Sequence, residues 1–196
     1  MLHRLTLPLL ALLGAFAASP ALAQRTLSLA PYALPEDGAV ALAVPKGLPE
    51  QGVFAELDAR TQGALRRAAS AAGFTGERGV VLNLPGVGPY DQVVVVGTGE
   101  DAVTPRLLED VGGLVGQAGA LSAAPRLQLL WPEAGGEHLV LGADLGQYAL
   151  RRYKTPDPAK PVLGRGELVV LTRDPEAARR AWQSRWASLA EAVRFS

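Results

Sequence analysis

The sequence predicts an α/β fold, helices layered on a parallel or mixed sheet, and three observations carry it. Between Pro89 and Gly99 stand Asp91, Gln92 and four consecutive valines, Val93 to Val96. A β-branched run this short, bounded by turn formers, suits a strand buried on both faces, and such strands belong mostly to sheets covered by helices. The valine run is read as the central strand. Second, segments with helical spacing of apolar residues alternate with short apolar runs along the chain. Third, 196 residues with 48% hydrophobic and only 19% charged side chains suffice for one domain with a substantial core. The 22 glycines and 15 prolines predict many sharp turns between the elements.

Taken in order, Thr26 to Ala30 and Ala39 to Val44, the latter closed by Pro45, read as the first two strands. From Val53 to Ala72, Phe54, Leu57, Leu65, Ala68 and Ala72 recur at helical spacing with charged residues between them, which predicts one amphipathic helix ending at Gly73. Gly79 to Leu84 forms the next strand, joined to the valine strand through Pro85-Gly86 and Gly88-Pro89 as a hairpin. Thr104-Pro105 starts a helix: a side-chain oxygen to cap, then a proline whose missing N–H costs nothing at the first position. Its apolar face runs Leu107, Leu108, Val111, Leu114, Val115, Ala118 and Leu121. Gly112, Gly113, Gly116 and Gly119 in the same helix each cost about 1 kcal/mol relative to alanine, so they mark a groove for a close neighbour.

Arg126 to Trp131 is the following strand. Glu137 to Tyr153 is a helix with Leu139, Ala143, Leu150 and Tyr153 inward and Gly142 and Gly146 on the close-packed side. Prolines at 156, 158 and 161 then enforce a surface loop. Gly166 to Thr172 is the last strand, and Asp174-Pro175 opens a final helix striped by Trp182, Trp186, Leu189 and Val193.

The first 23 residues read as an export signal. A basic start at Arg4, an apolar stretch of about 14 residues from Leu5 to Ala18, and small residues at Ala21 and Ala23 fit a secretory leader cleaved before Gln24, and the stretch is too short and interrupted for a membrane span. Export to the periplasm or medium is therefore expected, with no membrane attachment after cleavage. Removal of the leader takes away Arg4 from 19 basic and 19 acidic residues. The nearly neutral remainder shows no basic stripe, so nucleic acid is not an expected partner. Without cysteine, the core must hold the fold with no disulfide.

Candidate chemistry is sparse. Gly97-Thr98-Gly99-Glu100-Asp101-Ala102 matches a dinucleotide-binding spacing after a strand, yet the helix starts only at Thr104, and Glu100 and Asp101 would repel a pyrophosphate. After the leader His138 alone remains among histidines, too few for a metal centre of the usual kind. No serine sits in a nucleophile-elbow pattern. The pairs Glu36-Asp37 and Glu109-Asp110 read as a loop and a helix face.

Gly73-Phe74-Thr75-Gly76, the valine strand with Gly97-Thr98-Gly99, and Gly142-Ala143-Asp144-Leu145-Gly146-Gln147-Tyr148 running into Arg152-Tyr153-Lys154-Thr155 follow in an order that resembles the N-terminal domain of the cytosol (leucyl) aminopeptidases, peptidase family M17. The resemblance implies a three-layer, macro-domain-like sandwich with a mixed, mostly parallel sheet covered by helices. It divides the chain into a leader (1–23), the domain (24–173) and a helix linking toward a catalytic domain (174–196). In the full enzymes this module is non-catalytic. It stands beside a C-terminal domain that carries two divalent metal ions, zinc or manganese, and removes N-terminal residues from peptides, in hexamers. The resemblance therefore implies a catalytic domain or further copies of the chain as partners, and a role in assembly. Because the chain ends at Ser196 ahead of positions matching the catalytic motifs, it implies no catalytic residue and no metal ligand here. The alternative is a macro-like domain binding a nucleotide or ADP-ribose through Gly97, Thr98 and Gly99.

Overall fold

A computed structural model describes residues 24–152 and 164–185. The expected leader, the proline loop, the side chains of Tyr148 and Leu150, and the helical stripe from Trp186 onward lie outside the described residues. The elements are β1 (Thr26–Pro31), β2 (Gly38–Pro45), α1 (Val53–Arg60), α2 (Ala64–Ala71), β3 (Val81–Val87), β4 (Tyr90–Gly99), α3 (Pro105–Ala120), β5 (Arg126–Trp131), α4 (Gly136–Arg152), β6 (Glu167–Thr172) and α5 (Pro175–Arg185). The six strands form one sheet in the order β1-β6-β5-β2-β4-β3. All neighbours run parallel except the β3–β4 hairpin.

Alternation along the strands sorts the core into two layers, because successive side chains leave opposite faces of a sheet. On one face Ala41, Val94, Val96, Leu129 and Val170 meet Val111, Val115, Leu139, Ala143 and Ala178 of α3, α4 and α5. On the other, Val40, Leu42, Val93, Val95 and Val169 meet Phe54, Leu57, Leu65 and Ala69 of α1 and α2. The expected three layers are thus present. Trp182 of α5, half-buried, packs on the first of these layers, and Arg179 Nη2 donates to the Leu29 carbonyl at 3.0 Å to hold α5 against β1.

Three expectations need correction. Val93 to Val96 are fully buried on both faces, but β4 is the last strand but one; β2 and β5 lie at the middle of the sheet. Burial on both faces reports helical cover above and below a strand, not its place in the order. The single helix over 53–72 is two. Gln62 and Gly63 adopt left-handed geometry (φ 54° and 77°), and the bend is held by Thr61 Oγ1, which accepts from the Leu65 amide, and by Asp58 Oδ1, which accepts from the Arg66 amide at 2.9 Å. The bend rotates the second segment, so Ala69 is buried in place of Ala68 and Ala72. Leu121, expected on the inner face of α3, instead follows the helix end and is exposed.

The glycine groove of α3 receives α4, as the cost of helical glycine implied. A Cβ on Gly112 would stand 2.2 Å from the Leu139 carbonyl oxygen, and one on Gly116 2.4 Å from that of Ala143. In return, a Cβ on Gly142 would stand 1.9 Å from the Glu109 carbonyl oxygen and one on Gly146 2.2 Å from that of Gly113. Backbone meets backbone along two turns of each helix. Gly113 differs: its Cβ would make an ordinary contact, 3.6 Å from the Gly142 oxygen. Urea unfolding is therefore expected to separate the two glycines. Gly113→Ala should raise stability by roughly 0.5–1 kcal/mol through helix propensity, while Gly142→Ala should lower it by about 1–3 kcal/mol or more as the helices are forced apart. Equal responses would exclude the close approach as the reason for Gly142.

Candidate functional site

In open α/β sheets ligands bind outside the carboxyl ends of the parallel strands, where Gly97, Thr98 and Gly99 close β4. The structure packs this end against the turn leading into β3. The Gly97 amide donates to the Val80 carbonyl and its carbonyl accepts from the Gly79 amide, each at 2.9 Å. The Gly99 amide donates to the Gly76 carbonyl and its own carbonyl accepts from the Lys46 amide, again at 2.9 Å. A Cβ on Gly97 would stand 2.1 Å from the Glu77 carbonyl oxygen, so the protein's own backbone requires glycine there. Anion binding at a glycine turn uses amides pointing outward together, and the amides of Gly97 and Gly99 are committed inside the protein. Helix α3 begins at Pro105, with Thr104 Oγ1 accepting from the Leu107 amide at 3.2 Å.

Charges surround this strand end in compensated sets. Lys46 Nζ lies 3.2 Å from Glu77 and 3.1 Å from Glu100, and these carboxylates hold its pKa above the usual lysine value. Arg78 reaches Asp110 at 3.1 Å and Asp101 at 2.9 Å, which raises its pKa likewise, and Asp110 also meets Arg106 at 3.3 Å. These groups are open to solvent, so screening leaves the pairs little weight in stability. On the opposite helical layer the Tyr32 hydroxyl donates to Glu56 at 3.1 Å; burial, then the Glu56 charge, push its pKa to about 12, so it stays a neutral donor.

Arg78 and Asp110 also stand at the mouth of a surface groove of about 550 Å³ between α3 and α4, walled by Leu114, Leu141 and Leu145 over the glycine backbones. His138 joins the two helices nearby, its Nδ1 3.0 Å from Glu109 Oε1. These residues can bind and orient a surface, but they do not assemble a nucleophile with an activating base.

The most developed polar cluster is one that sequence reasoning missed. Arg25, 2% exposed, donates from Nε to the Gly119 carbonyl at 2.9 Å, from Nη1 to that of Glu167 at 3.2 Å, and from Nη2 to those of Ser122 and Ala124 at 3.1 and 2.6 Å. One of these oxygens, that of Gly119, belongs to the last turn of α3, where the helix dipole favours a cation, and those of Ser122 and Ala124 follow in the segment after it. The Arg25 main chain is held as firmly: Gln147 Oε1 accepts its amide and Gln147 Nε2 donates to its carbonyl, both at 3.1 Å. Arg25 thereby ties β1, α3, the strand β6 and α4 together.

The fold and this site define a three-layer α/β module whose polar groups serve mainly to join its own elements. Residues 40–157 match the model of the cytosol aminopeptidase family, N-terminal domain, and the chain belongs to that family. A probable cytosol aminopeptidase from Chelativorans sp. (strain BNC1) is 28% identical over 170 residues, taking in 80% of this chain and 33% of that protein. The chain thus spans 33% of the length of this curated relative. Among solved structures, a tomato leucine aminopeptidase mutant superposes with a TM-score of 0.65 at 17% identity, over 90% of this chain and 37% of that one. The bottromycin maturation enzyme BotP gives a TM-score of 0.50 at 19% identity, over 80% and 31%. Both likenesses are of fold.

The family is metal-dependent, and an ion would need several converging ligands. Among the described residues no group of three or more His, Cys, Asp or Glu converges, and His138 faces Glu109 across the helix pair. The described residues do not fit a dinuclear centre.

Arg25 supplies the test of what holds this architecture. Arg25→Met should lower unfolding free energy by about 3 kcal/mol or more, because carbonyls arranged around the guanidinium lose their donors in a dry site. Arg25→Lys should recover only part of this, since one ammonium cannot copy the planar fork. Arg78→Ala, at the exposed pairs, should unfold at nearly the wild-type urea concentration.

Proposed function

We propose that this chain serves as the non-catalytic N-terminal module of an exported aminopeptidase, a domain that assembles with a metal-bearing catalytic domain or with further copies of itself. The observation that carries the reading is the family match over residues 40–157 together with the coverage of 33% of the relative's length. On this reading the parent activity is metal-dependent removal of N-terminal residues from peptides, and residues 24–173 contribute structure and contacts. Support for the second half comes from the site: the amides of Gly97 and Gly99 and the charges of Lys46 and Arg78 are engaged within the protein. Export rests on the leader-like first 23 residues.

Two measurements test it. Protein comprising residues 24 to 196, given zinc or manganese and a leucine amide substrate, should show no turnover above the buffer control; turnover removed by a chelator would refute the non-catalytic assignment. Protein recovered from the periplasm or medium should begin at Gln24 on terminal mass spectrometry, and recovery of an intact Met1 from those compartments would refute cleavage.

A further inference from the structure

The two edges of the sheet are protected differently. At one, α5 packs on β1, and Arg179 Nη2 donates to the Leu29 carbonyl at 3.0 Å. At the other, β3 has β4 as its one neighbour among the described residues, and its far side is open. An antiparallel strand turns alternate residues toward each side. The Val80 carbonyl accepts the Gly97 amide, and the register continues with Leu82 opposite Val95 and Leu84 opposite Val93, so Leu82 and Leu84 bond β4 while the N–H and C=O groups of Val81 and Asn83 face outward. Pro85, with no N–H to donate, also falls on the outward positions. Open edges are usually guarded by charge, lysine above all. Here no charged residue stands between Arg78 and Asp91, and Val80 and Val81, 46% and 37% exposed, stand at the start of the edge.

We propose that the β3 edge is an interaction surface for a second copy of this chain, the two β3 strands pairing antiparallel about a two-fold axis at Leu82; the inference deepens the assembly role proposed above and rests on it. In this register the Val81 N–H donates to the Asn83 carbonyl of the second copy, the Asn83 N–H of that copy donates to the Val81 carbonyl, and the axis repeats both bonds. Leu82 lies opposite itself and Val80 opposite Leu84, which extends the apolar face that Leu82 and Leu84 already present to the α1–α2 layer. A two-fold axis sets a strand against its own sequence, so a charged edge would repel itself and an uncharged one does not. Pro85 ends the ladder, which keeps the contact short and the dimer weak. Because α5 covers β1, pairing consumes the open edge of each copy and closes as a dimer instead of growing into a fibre.

Sedimentation of the purified full chain over a wide range of concentration should show a monomer–dimer equilibrium. Asn83→Pro removes an outward N–H and leaves the bonds of Leu82 and Leu84 to β4, so it should raise the dissociation constant by about tenfold or more. Single cysteines give a second readout, since the chain has no thiol of its own. Leu82→Cys faces its own copy at a non-hydrogen-bonded position, where side chains approach most closely, and should yield a disulfide dimer on mild oxidation. Ser184→Cys, exposed on α5, should not. A chain that stays monomeric at every concentration, with no Leu82→Cys dimer above the Ser184→Cys control, overturns the edge contact and leaves union with a catalytic domain standing. A dimer unaffected by Asn83→Pro and not captured through Leu82→Cys overturns it as well, because the copies then meet elsewhere. Failure of the non-catalytic reading shows separately, as turnover removed by a chelator.

Discussion

The structure depends on the backbone contact between α3 and α4. Dispersion energy between two helices grows as their axes approach, and only glycine at the crossing lets main-chain atoms touch. Gly112 and Gly116 on α3, and Gly142 and Gly146 on α4, supply that surface from both sides. The spine continues one turn further: a Cβ on Gly119 would crowd Arg25 Nε at 3.3 Å, so the same small-residue stripe that admits α4 also admits the buried guanidinium. Three partners, α4, the end of α3 and the start of β1, are thereby fixed by one run of glycines. Helical glycine weakens α3 as an isolated helix by about 1 kcal/mol per residue, and the sheet beneath it, together with α4, offsets that weakness.

From this pair the remaining layers follow. Leu139, Val111 and Val115 point from the joined helices onto Val94, Val96, Leu129 and Val170, whose neighbours in sequence point to the α1–α2 side. Since strand side chains alternate strictly, filling one face determines which residues remain for the other. The hairpin strand β3 then covers the outer edge of β4, and its turn rests near the α1–α2 bend, where a Cβ on Gly88 would be 3.1 Å from Thr61. The carboxyl end of β4 is closed by the residues that enter β3, which is why its glycines read as packing positions in the structure.

Much of this was legible in the chain because it rests on burial. Val93 to Val96 announce a strand with cover on both faces, and the glycines of α3 and α4 announce a close helix pair, since no other role easily repays glycine in a helix interior. The strand order was not legible: parallel neighbours come from distant segments, and a β-branched run carries no mark of which strand lies beside it. The break between α1 and α2 was hidden because Leu65 and Ala68 continue the helical period across it, while the residues that make it, Asp58 and Thr61, act through short side-chain bonds to the backbone. Arg25 was hidden for a related reason. Its acceptors are carbonyls 94 to 142 residues away, and every residue has a carbonyl.

The contrast between Arg25 and Arg78 shows where polar groups matter in this domain. Arg78 bonds two carboxylates, which looks the stronger arrangement, yet its ions keep most of their hydration and gain little from pairing. Arg25 bonds neutral carbonyls, but water cannot replace it there, so its absence would leave those acceptors unsatisfied in a dry site. Position therefore outranks formal charge. The exposed pairs near Gly97 can exchange partners at small cost, whereas the Arg25 cluster cannot rearrange without loosening β1, α3 and α4 together. The side built on Arg25 and the glycine spine is thus joined through buried backbone acceptors and close helix contact, and the rim of Lys46, Arg78, Asp101 and Asp110 through solvent-exposed pairs.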